Sequence, residues 1–276
     1  MGESPLMRES LCALAMKAAR LAGQEALRLW REPHDTRHKG PRDIVTEADL
    51  AAEKVIVDTI QAQYPDHSIL AEEGGLSPNA GQPAEFQWII DPIDGTTNYA
   101  RGLPFFSISV AVAERGRPLA GALYDPLRDR MYHAMRGGGA HCDGRRLSCS
   151  RRERLIEALI ALDWARDEAV RSRLLRAVLA CSPQIGSWRS FGSAALGIAL
   201  VAEGGADAYL HGSLLPWDLA AAGLLVEEAG GRITGLDGSP AWWRERACLA
   251  TNGLIHDQLL ELFRGVLPAG NAAEDE

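Results

Sequence analysis

The stretch that decides the fold runs Trp88-Ile-Ile-Asp-Pro-Ile-Asp-Gly-Thr-Thr97, in which a short apolar segment leads into two carboxylates, a glycine and two hydroxyls. Because the residue before a proline is pushed into the extended region, we interpret the apolar part as a buried strand that ends at Asp91. Gly95 lets the backbone approach a ligand closely, and Thr96 or Thr97 can cap a helix that starts just after. Carboxylates favour a hard cation and a helix N-terminus favours a phosphate, so the stretch indicates metal-assisted phosphate chemistry.

The same residues have a simpler interpretation, because Asp-Pro and Asp-Gly are also common turn dipeptides. Further acids at the predicted ends of elements favour the metal site. Glu72 follows the apolar run 69–71, Asp218 opens an Ala/Leu-rich helical stretch, and Asp49 lies with Thr46 at the start of another helix. Either Asp alone would be explained as a helix cap worth about 1 kcal/mol. Several such acids, all at element ends, fit one shared cation site better than independent caps.

Together these motifs resemble the inositol monophosphatase family of Mg²⁺-dependent, lithium-sensitive phosphatases. The resemblance rests on Trp88–Asn98 and on Trp217-Asp-Leu-Ala-Ala-Ala-Gly223, and the segments 43–49 and 72–74 add support. It covers nearly the whole chain. It implies an α/β fold with mixed α+β character, a layered αβαβα sandwich of the inositol monophosphatase / fructose-1,6-bisphosphatase type, with the metal site between two sheets.

Turn signals and hydrophobic periodicity divide the chain into alternating helices and short strands. We expect one domain over residues 1–276, with sub-halves of about 1–150 and 151–266 and an acidic tail at 267–276. The predicted helices are 6–31, 46–64, 167–180, 193–202, 219–228 and 254–265. The predicted strands are a short one before Glu72 and then 86–91, 107–113, 119–124, 130–135, 185–189, 208–210, 232–234 and 248–250.

The resemblance also implies a set of metal ligands for two or three Mg²⁺ ions. Glu72, Asp91 and the backbone carbonyl of Ile93 would hold one ion, and Asp91, Asp94 and Asp218 a second. Such a site needs no nucleophilic side chain, because paired metals stabilise both the attacking and the leaving oxygen of an in-line displacement.

The catalytic and substrate roles implied by the resemblance fall on neighbouring segments. Asp49 and Thr96 would orient and deprotonate the attacking water, with Glu72 and Asp94 completing the catalytic set. Backbone N–H groups of Gly95 and Thr96 would bind the phosphate. The segment Gly192-Ser193-Ala194 would touch the hydroxyl-bearing part of the substrate.

His211 is the informative departure from the family pattern and the last predicted substrate contact. Enzymes that favour inositol phosphate have an acid at this position, seven residues before the Asp of the Trp-Asp pair. A neutral imidazole can still accept one hydrogen bond, but it lacks the two carboxylate oxygens with which an acid accepts hydrogen bonds from the ring hydroxyls. The reaction type is untouched, and inositol specificity is put in question.

The leading hypothesis is a phosphoric monoester hydrolase acting on a small polyol phosphate, with inositol 1-phosphate as the default substrate. Histidinol phosphate, fructose 1,6-bisphosphate and a 3′-phosphoadenosine nucleotide remain open within the same chemistry. A haloacid-dehalogenase-type phosphatase shares an Asp…Asp-Gly-Thr element but needs its two aspartates two residues apart, not three. A non-catalytic scaffold of the same fold is the alternative outside enzymology, and its expected mark is the loss of one or more metal acids.

Composition narrows the class of partner. The net charge of −8 argues against a nucleic-acid polymer or an acidic membrane as partner, and no apolar run approaches transmembrane length. The five cysteines are scattered without Cys-x-x-Cys spacing, which favours a reducing cytoplasm over a disulfide framework. His34 and His38 have metal-like spacing, but nothing nearby completes a zinc set, so we interpret that segment as a solvated loop. The resemblance implies a homodimer.

Overall fold

A long amphipathic helix and a large twisted sheet form the first two layers of the fold. The computed structural model describes residues 5–31, 35–76 and 85–264. The helices in this part of the chain are α1 (Pro5–Leu29), α2 (Glu47–Gln61), α3 (Thr96–Ala100), α4 (Glu168–Cys181), α5 (Ala194–Ala202), α6 (Pro216–Glu228) and α7 (His256–Arg264). Short 3₁₀ turns lie at Leu155–Glu157, Ser182–Gln184 and Trp242–Arg244.

The strands of the described residues form a hairpin and two larger sheets. Their bounds are β1 (Thr36–Gly40), β2 (Asp43–Thr46), β3 (Ser68–Ala71), β4 (Gly75–Leu76), β5 (Phe86–Asp94), β6 (Ser107–Glu114), β7 (Arg117–Asp125), β8 (Arg130–Met135), β9 (Gly139–Cys142), β10 (Arg145–Arg146), β11 (Leu159–Leu162), β12 (Ser187–Arg189), β13 (Ala208–His211), β14 (Arg232–Thr234) and β15 (Cys248–Thr251). β1 pairs with β2, the larger sheet has the order β10-β9-β8-β7-β6-β5-β3-β4, and the smaller one the order β12-β11-β13-β15-β14.

The sheets and helices stack in five layers, and the three largest hydrophobic cores of the described residues lie between them. In the first core, α1 and α2 bury apolar residues such as Ala18 and Ile56 against one face of the larger sheet. In the second, α5 and α6 fill the space between the two sheets and contact both Tyr132 of β8 and Tyr209 of β13. In the third, α4 and α7 cover the outer face of the smaller sheet, with Leu174 among the buried residues. The arrangement confirms the αβαβα sandwich that the sequence predicts.

Most predicted elements are confirmed to within a few residues, and the differences have physical causes. The hairpin of β1 and β2 and the strands β4, β9, β10 and β11 were not predicted. β1 is built from exposed polar residues, β4 and β10 have two residues each, and β9 and β11 are runs of only four residues. The predicted loop at His34–His38 is wrong for His38, which lies in β1, while His34 lies outside the described residues, as does the predicted acidic tail. Within the parts of the chain that the structure describes, no helix is long and apolar enough to cross a bilayer.

Candidate metal and phosphate site

A β-bulge turns two aspartates of β5 towards the same side of the larger sheet. Asp91 lies opposite Ser109 of β6, and Asp94 lies opposite Ser107, so one extra residue of β5 is inserted between the two pairs. On a regular strand, residues three apart point to opposite faces, whereas the bulge returns the second side chain to the first face. The prediction that the strand ends at Asp91 is therefore wrong. β5 continues through Pro92, because a bulge position needs no N–H for the ladder.

Asp218 completes a group of three carboxylates. It lies in the first turn of α6, where its Oδ2 accepts a hydrogen bond of 2.7 Å from the N–H of Leu215. Ser109 fixes the same turn, because its hydroxyl donates to the carbonyl of Trp217 at 3.1 Å. One carboxylate oxygen from each of Asp91, Asp94 and Asp218 lies within 4.8 Å of the others. The structure thus brings together three of the predicted metal ligands from two layers of the fold.

Burial and mutual repulsion make this group costly without a cation. Burial raises the pKa of Asp91 well above its usual range, and the charges of Glu72 and Asp94 raise it further. Burial, with the charge of Asp94, raises the pKa of Asp218 to about 8. Burial also raises the pKa of Asp94 to about 6, against hydrogen bonds that lower it. Hard oxygen donors held this close, with their ionised forms disfavoured, fit the requirements of a divalent cation such as Mg²⁺.

Asp94 also joins the larger sheet to the helix layer in the middle of the fold. Its Oδ1 accepts a hydrogen bond from the N–H of Ala194, and its Oδ2 accepts one from the N–H of Ala195, both at 3.0 Å. The hydroxyl of Ser193 donates to the same Oδ2, which Ser107 also contacts at 3.2 Å. Ser193 is the N-cap residue of α5. The side chain of Ser193 makes no hydrogen bond to its own helix, and the carboxylate of Asp94 caps α5 instead.

Two buried polar side chains hold the turn that precedes α5. Asp163 accepts hydrogen bonds from the N–H groups of Phe191 and Gly192 at 3.0 and 2.7 Å. Asn98 donates to the carbonyl of Phe191 at 2.7 Å. Gly192 has a φ of +77°, and a Cβ there would lie 2.9 Å from the amide of Asn98, so only glycine fits. Asn98 belongs to the quoted Trp88–Asn98 motif, but its support of this distant turn had no local sequence signal.

Thr96 lies between a buried carboxylate and a backbone carbonyl. Its hydroxyl oxygen is 3.1 Å from Asp49 Oδ1 and 3.0 Å from the carbonyl oxygen of Ile93. Asp49 Oδ2 accepts hydrogen bonds from the N–H and the hydroxyl of Thr46 at 2.8 and 2.6 Å, so the two residues form a capping box at α2. Burial raises the pKa of Asp49 to about 6, although these hydrogen bonds lower it. The carboxylate is therefore mostly ionised at neutral pH and remains close to its titration range.

Gly95 precedes Thr96 in the left-handed region, with a φ of +99°. A Cβ at this position would lie 3.0 Å from the carbonyl oxygen of Gly192 and 3.2 Å from that of Phe105. Both the backbone conformation and the space require glycine. Gly95 thus allows the end of β5 to approach the turn before α5, which places Asp94, Thr96 and Ser193 around one spot.

Glu72, the remaining predicted ligand, is engaged by cations at the edge of the carboxylate group. Its Oε1 lies 3.1 Å from Lys39 Nζ and 3.6 Å from Arg166 Nη2. Lys39 also contacts Glu73 at 2.6 Å, and Arg166 Nη1 lies 3.0 Å from Asp43 Oδ2. The charge of Glu72 raises the pKa of Asp91, so Glu72 lies near the three-carboxylate group although it is not one of its members. No sequence pattern indicates Arg166, because it follows the short strand β11 in an irregular segment without a motif.

His211 differs from its predicted behaviour. It is buried at the end of β13, and its Nδ1 accepts a hydrogen bond of 3.0 Å from the N–H of Ser213. Burial, followed by the nearby charge of Arg166, lowers the pKa of the imidazole to about 4, so the ring is neutral at neutral pH. A neutral imidazole whose Nδ1 accepts carries its proton on Nε2. The nitrogen that remains for a ligand is therefore a donor, not the acceptor that the sequence suggested.

Comparisons with known proteins agree over nearly the whole chain. The sequence model of the inositol monophosphatase family matches residues 7–267. The Nus factor SuhB of Escherichia coli strain K12 is 39% identical over 257 residues, which are 92% of this chain and 96% of that protein.

Solved structures give the same result for the fold. The extragenic suppressor protein suhB from Bartonella henselae superposes with a TM-score of 0.87 at 33% identity, covering 95% of this chain and 99% of its own. An IMPase from Thermotoga maritima superposes with a TM-score of 0.85 at 33% identity, covering 92% and 97%.

Proposed function

Because the chain belongs to the inositol monophosphatase family, we propose that it is a Mg²⁺-dependent phosphoric monoester hydrolase acting on a small polyol phosphate, with inositol 1-phosphate as the reference substrate. The observation that carries the proposal is the group formed by Asp91, Asp94 and Asp218, whose oxygens lie within 4.8 Å of one another. Burying three like charges in one place costs free energy, and a purely structural role would not offset that cost.

The residues that would hold two or three Mg²⁺ ions are those the resemblance implies. Asp91, Asp94 and Asp218 would supply carboxylate oxygens, one of each lying within 4.8 Å of the others. Glu72 and the carbonyl of Ile93 would supply the remaining ligands. When bound, the ions supply positive charge to the phosphate oxygens and lower the pKa of a coordinated water. Glu72 would have to exchange its contacts with Lys39 and Arg166 for a metal.

Asp49 and Thr96 are positioned to remove a proton from the attacking water. The Thr96 hydroxyl has one proton, and when it donates that proton to Asp49 Oδ1 its oxygen can still accept a hydrogen bond from water. Asp49, with a pKa of about 6, is ionised at neutral pH and can take up the proton through Thr96. The capping box with Thr46 keeps the carboxylate in this orientation.

The phosphate and the alcohol portion of the substrate would lie over the turn at β5 and the turn before α5. We propose that the backbone N–H groups of Gly95 and Thr96 bind the phosphate. The segment Gly192-Ser193-Ala194 and His211 would face the alcohol portion. Asp94 and Asp163 hold that segment in place from two sides.

The proposal includes a single domain, a cytoplasmic location and a homodimer. The five cysteines of the sequence are all buried and unpaired, which suits a reducing compartment. The resemblance to the family supports a dimer of identical chains.

A non-catalytic role is the second candidate, favoured by one observation. Relatives in several bacteria carry the name Nus factor SuhB, which is not the name of an enzyme. Against this candidate, the acids Asp91, Asp94 and Asp218 are all present and in reach of one another. A chain that had given up catalysis would be free to lose these buried charges.

Hydrolysis by chelator-stripped protein, with and without added Mg²⁺, tests the proposal on inositol 1-phosphate, histidinol phosphate, fructose 1,6-bisphosphate and a 3′-phosphoadenosine nucleotide. We expect turnover only with Mg²⁺, and we expect it to be lost in Asp94→Asn and Asp218→Asn. The exposed Asp66→Asn is the matched control and should keep full activity. Near-normal turnover in both site variants, or full turnover without metal, contradicts the metal assignment. No Mg²⁺-stimulated hydrolysis across the panel favours the non-catalytic role.

A further inference from the structure

The wall of the site beside Asp218 carries a hydrogen-bond donor and a positive charge. The donor is Nε2 of His211, because Nδ1 already accepts from the N–H of Ser213. Nε2 has no hydrogen-bond partner among the described residues, although the side chain is almost fully buried. Nε2 is not among the fully buried polar atoms that lack a partner, so solvent reaches this N–H, and a ligand that brings a hydrogen-bond acceptor can bind there.

The positive charge is Arg166, which lies within electrostatic reach of three residues of the site. Its guanidinium contacts Glu72, and its charge affects the pKa of both Asp218 and His211. Arg166 therefore stands at the rim of the carboxylate group on the side of His211. Half of its side chain is exposed, so a ligand can reach it.

The guanidinium is not fully used by its neighbours. Nη2 lies 3.6 Å from Glu72 Oε1, which is too long for a hydrogen bond, and Glu72 has a second cation in Lys39 at 3.1 Å. An arginine has five N–H donors in a planar fork that matches carboxylate and phosphate oxygens. The pairing with Asp43 through Nη1 holds the fork in place and leaves its other edge for an anion.

We infer that the alcohol portion of the substrate carries a second anionic group, a phosphate or a carboxylate, which His211 Nε2 and Arg166 recognise together. The inference rests on the proposed phosphomonoesterase function and narrows its substrate class. It favours fructose 1,6-bisphosphate or a 3′-phosphoadenosine nucleotide over inositol 1-phosphate, whose leaving group is a neutral polyol. It disfavours histidinol phosphate, whose amine is cationic.

The test compares kcat/KM for fructose 1,6-bisphosphate, for 3-phosphoglycerate and for inositol 1-phosphate in the full-length protein with Mg²⁺. The bisphosphate and the phosphocarboxylate distinguish the two sources of the anion. The variants are Arg166→Gln, which removes the charge, His211→Glu, which replaces the donor by an acceptor, and His211→Gln, which keeps a donor. Arg176→Gln on the exposed surface of α4 is the matched control.

We expect the protein to prefer at least one of the two doubly anionic substrates over inositol 1-phosphate by about tenfold or more, as for a charge-assisted hydrogen bond. Arg166→Gln and His211→Glu should each lower that preference about tenfold, and His211→Gln should largely keep it. The Arg176→Gln control should not change it. A protein that prefers inositol 1-phosphate, or site variants that change all substrates equally, would overturn the inference.

A failure of the proposed function is distinguishable from a failure of this inference. Calorimetric Kd values for the same ligands, measured with Mg²⁺ on the slow variant Asp49→Asn, report the preference without turnover. If no substrate is hydrolysed by the unsubstituted protein, the proposed function is wrong, and the Kd ratio still decides the inference. Equal Kd values for inositol 1-phosphate and for both doubly anionic ligands would refute it, whatever the turnover.

Discussion

Replacing Asp218 by Asn is expected to abolish activity and, at the same time, to stabilise the metal-free protein. The carboxylate of Asp218 lies against Asp91 and Asp94, and its pKa is raised to about 8. The amide is neutral and has the same shape. Its carbonyl can still accept the hydrogen bond from Leu215, so the first turn of α6 keeps its cap.

The magnitude follows from the difference between the folded and unfolded pKa values. Between the ordinary value of 3.8 and the folded value of about 8, the native state binds a proton that the unfolded chain does not. Stability therefore falls as the pH rises through this window. At 1.36 kcal/mol per pKa unit, the cost for Asp218 reaches about 5 kcal/mol at pH 7.5 and about 2 kcal/mol at pH 5. Because the three carboxylates can share the proton, we expect about half of each value as the gain in Asp218→Asn.

Urea denaturation of chelator-treated protein at pH 5 and pH 7.5 measures both values. Asp218→Asn should be more stable than the unsubstituted protein by about 2 to 3 kcal/mol at pH 7.5, with a difference below about 1 kcal/mol at pH 5. Millimolar Mg²⁺ should raise the stability of the unsubstituted protein and have a smaller effect on the variant. Asp66→Asn, on the surface, should change neither. A loss of stability at pH 7.5, or a gain independent of pH, would show that charge burial is not the cause.

Three further substitutions examine other parts of the site. Asp49→Asn should lower kcat by about 10²-fold or more, because the proton acceptor is lost. It should not lower the Tm at pH 7.5, because the raised pKa makes the ionised carboxylate of Asp49 costly in the folded protein. An unchanged kcat would exclude Asp49 as the base. Gly95→Ala should lower the free energy of unfolding by about 1 to 3 kcal/mol in denaturant titration. The control Gly116→Ala should cost less, because Gly116 has a similar positive φ but open space where the added Cβ would lie. Equal costs would mean that the contacts with Gly192 and Phe105 are unimportant. Ser193→Ala removes a hydroxyl that lowers the pKa of Asp94. The acidic limb of the pH profile of kcat/KM should therefore move to higher pH. An unchanged limb would mean that the Ser193 hydroxyl does not set the pKa of Asp94.

The sequence by itself determined the positions of most helices and strands, because their signals are local. Periodicity gave α1, and the Thr46–Asp49 pair marked the start of α2, where the capping box confirms it. The acids at element ends indicated a cation site before any coordinates. These inferences depend only on residues within a few positions of one another.

The structure decided how the acids face one another, because that depends on contacts between distant segments. The bulge in β5 is defined by its register with β6, and no rule for three-residue spacing would place Asp91 and Asp94 on one face. The capping of α5 by Asp94 joins residues 100 positions apart. Such pairings are set by packing of layers and leave no local pattern.

Two chemical assignments also needed the tertiary structure. The sequence shows that His211 replaces an acid, but only the hydrogen bond from Ser213 fixes which nitrogen of the ring carries the proton. The sequence gives Arg166 no motif, and only the fold brings it to Glu72 and Asp43. Local sequence sets which groups are present, whereas proton positions and charge partners depend on the neighbours that folding supplies.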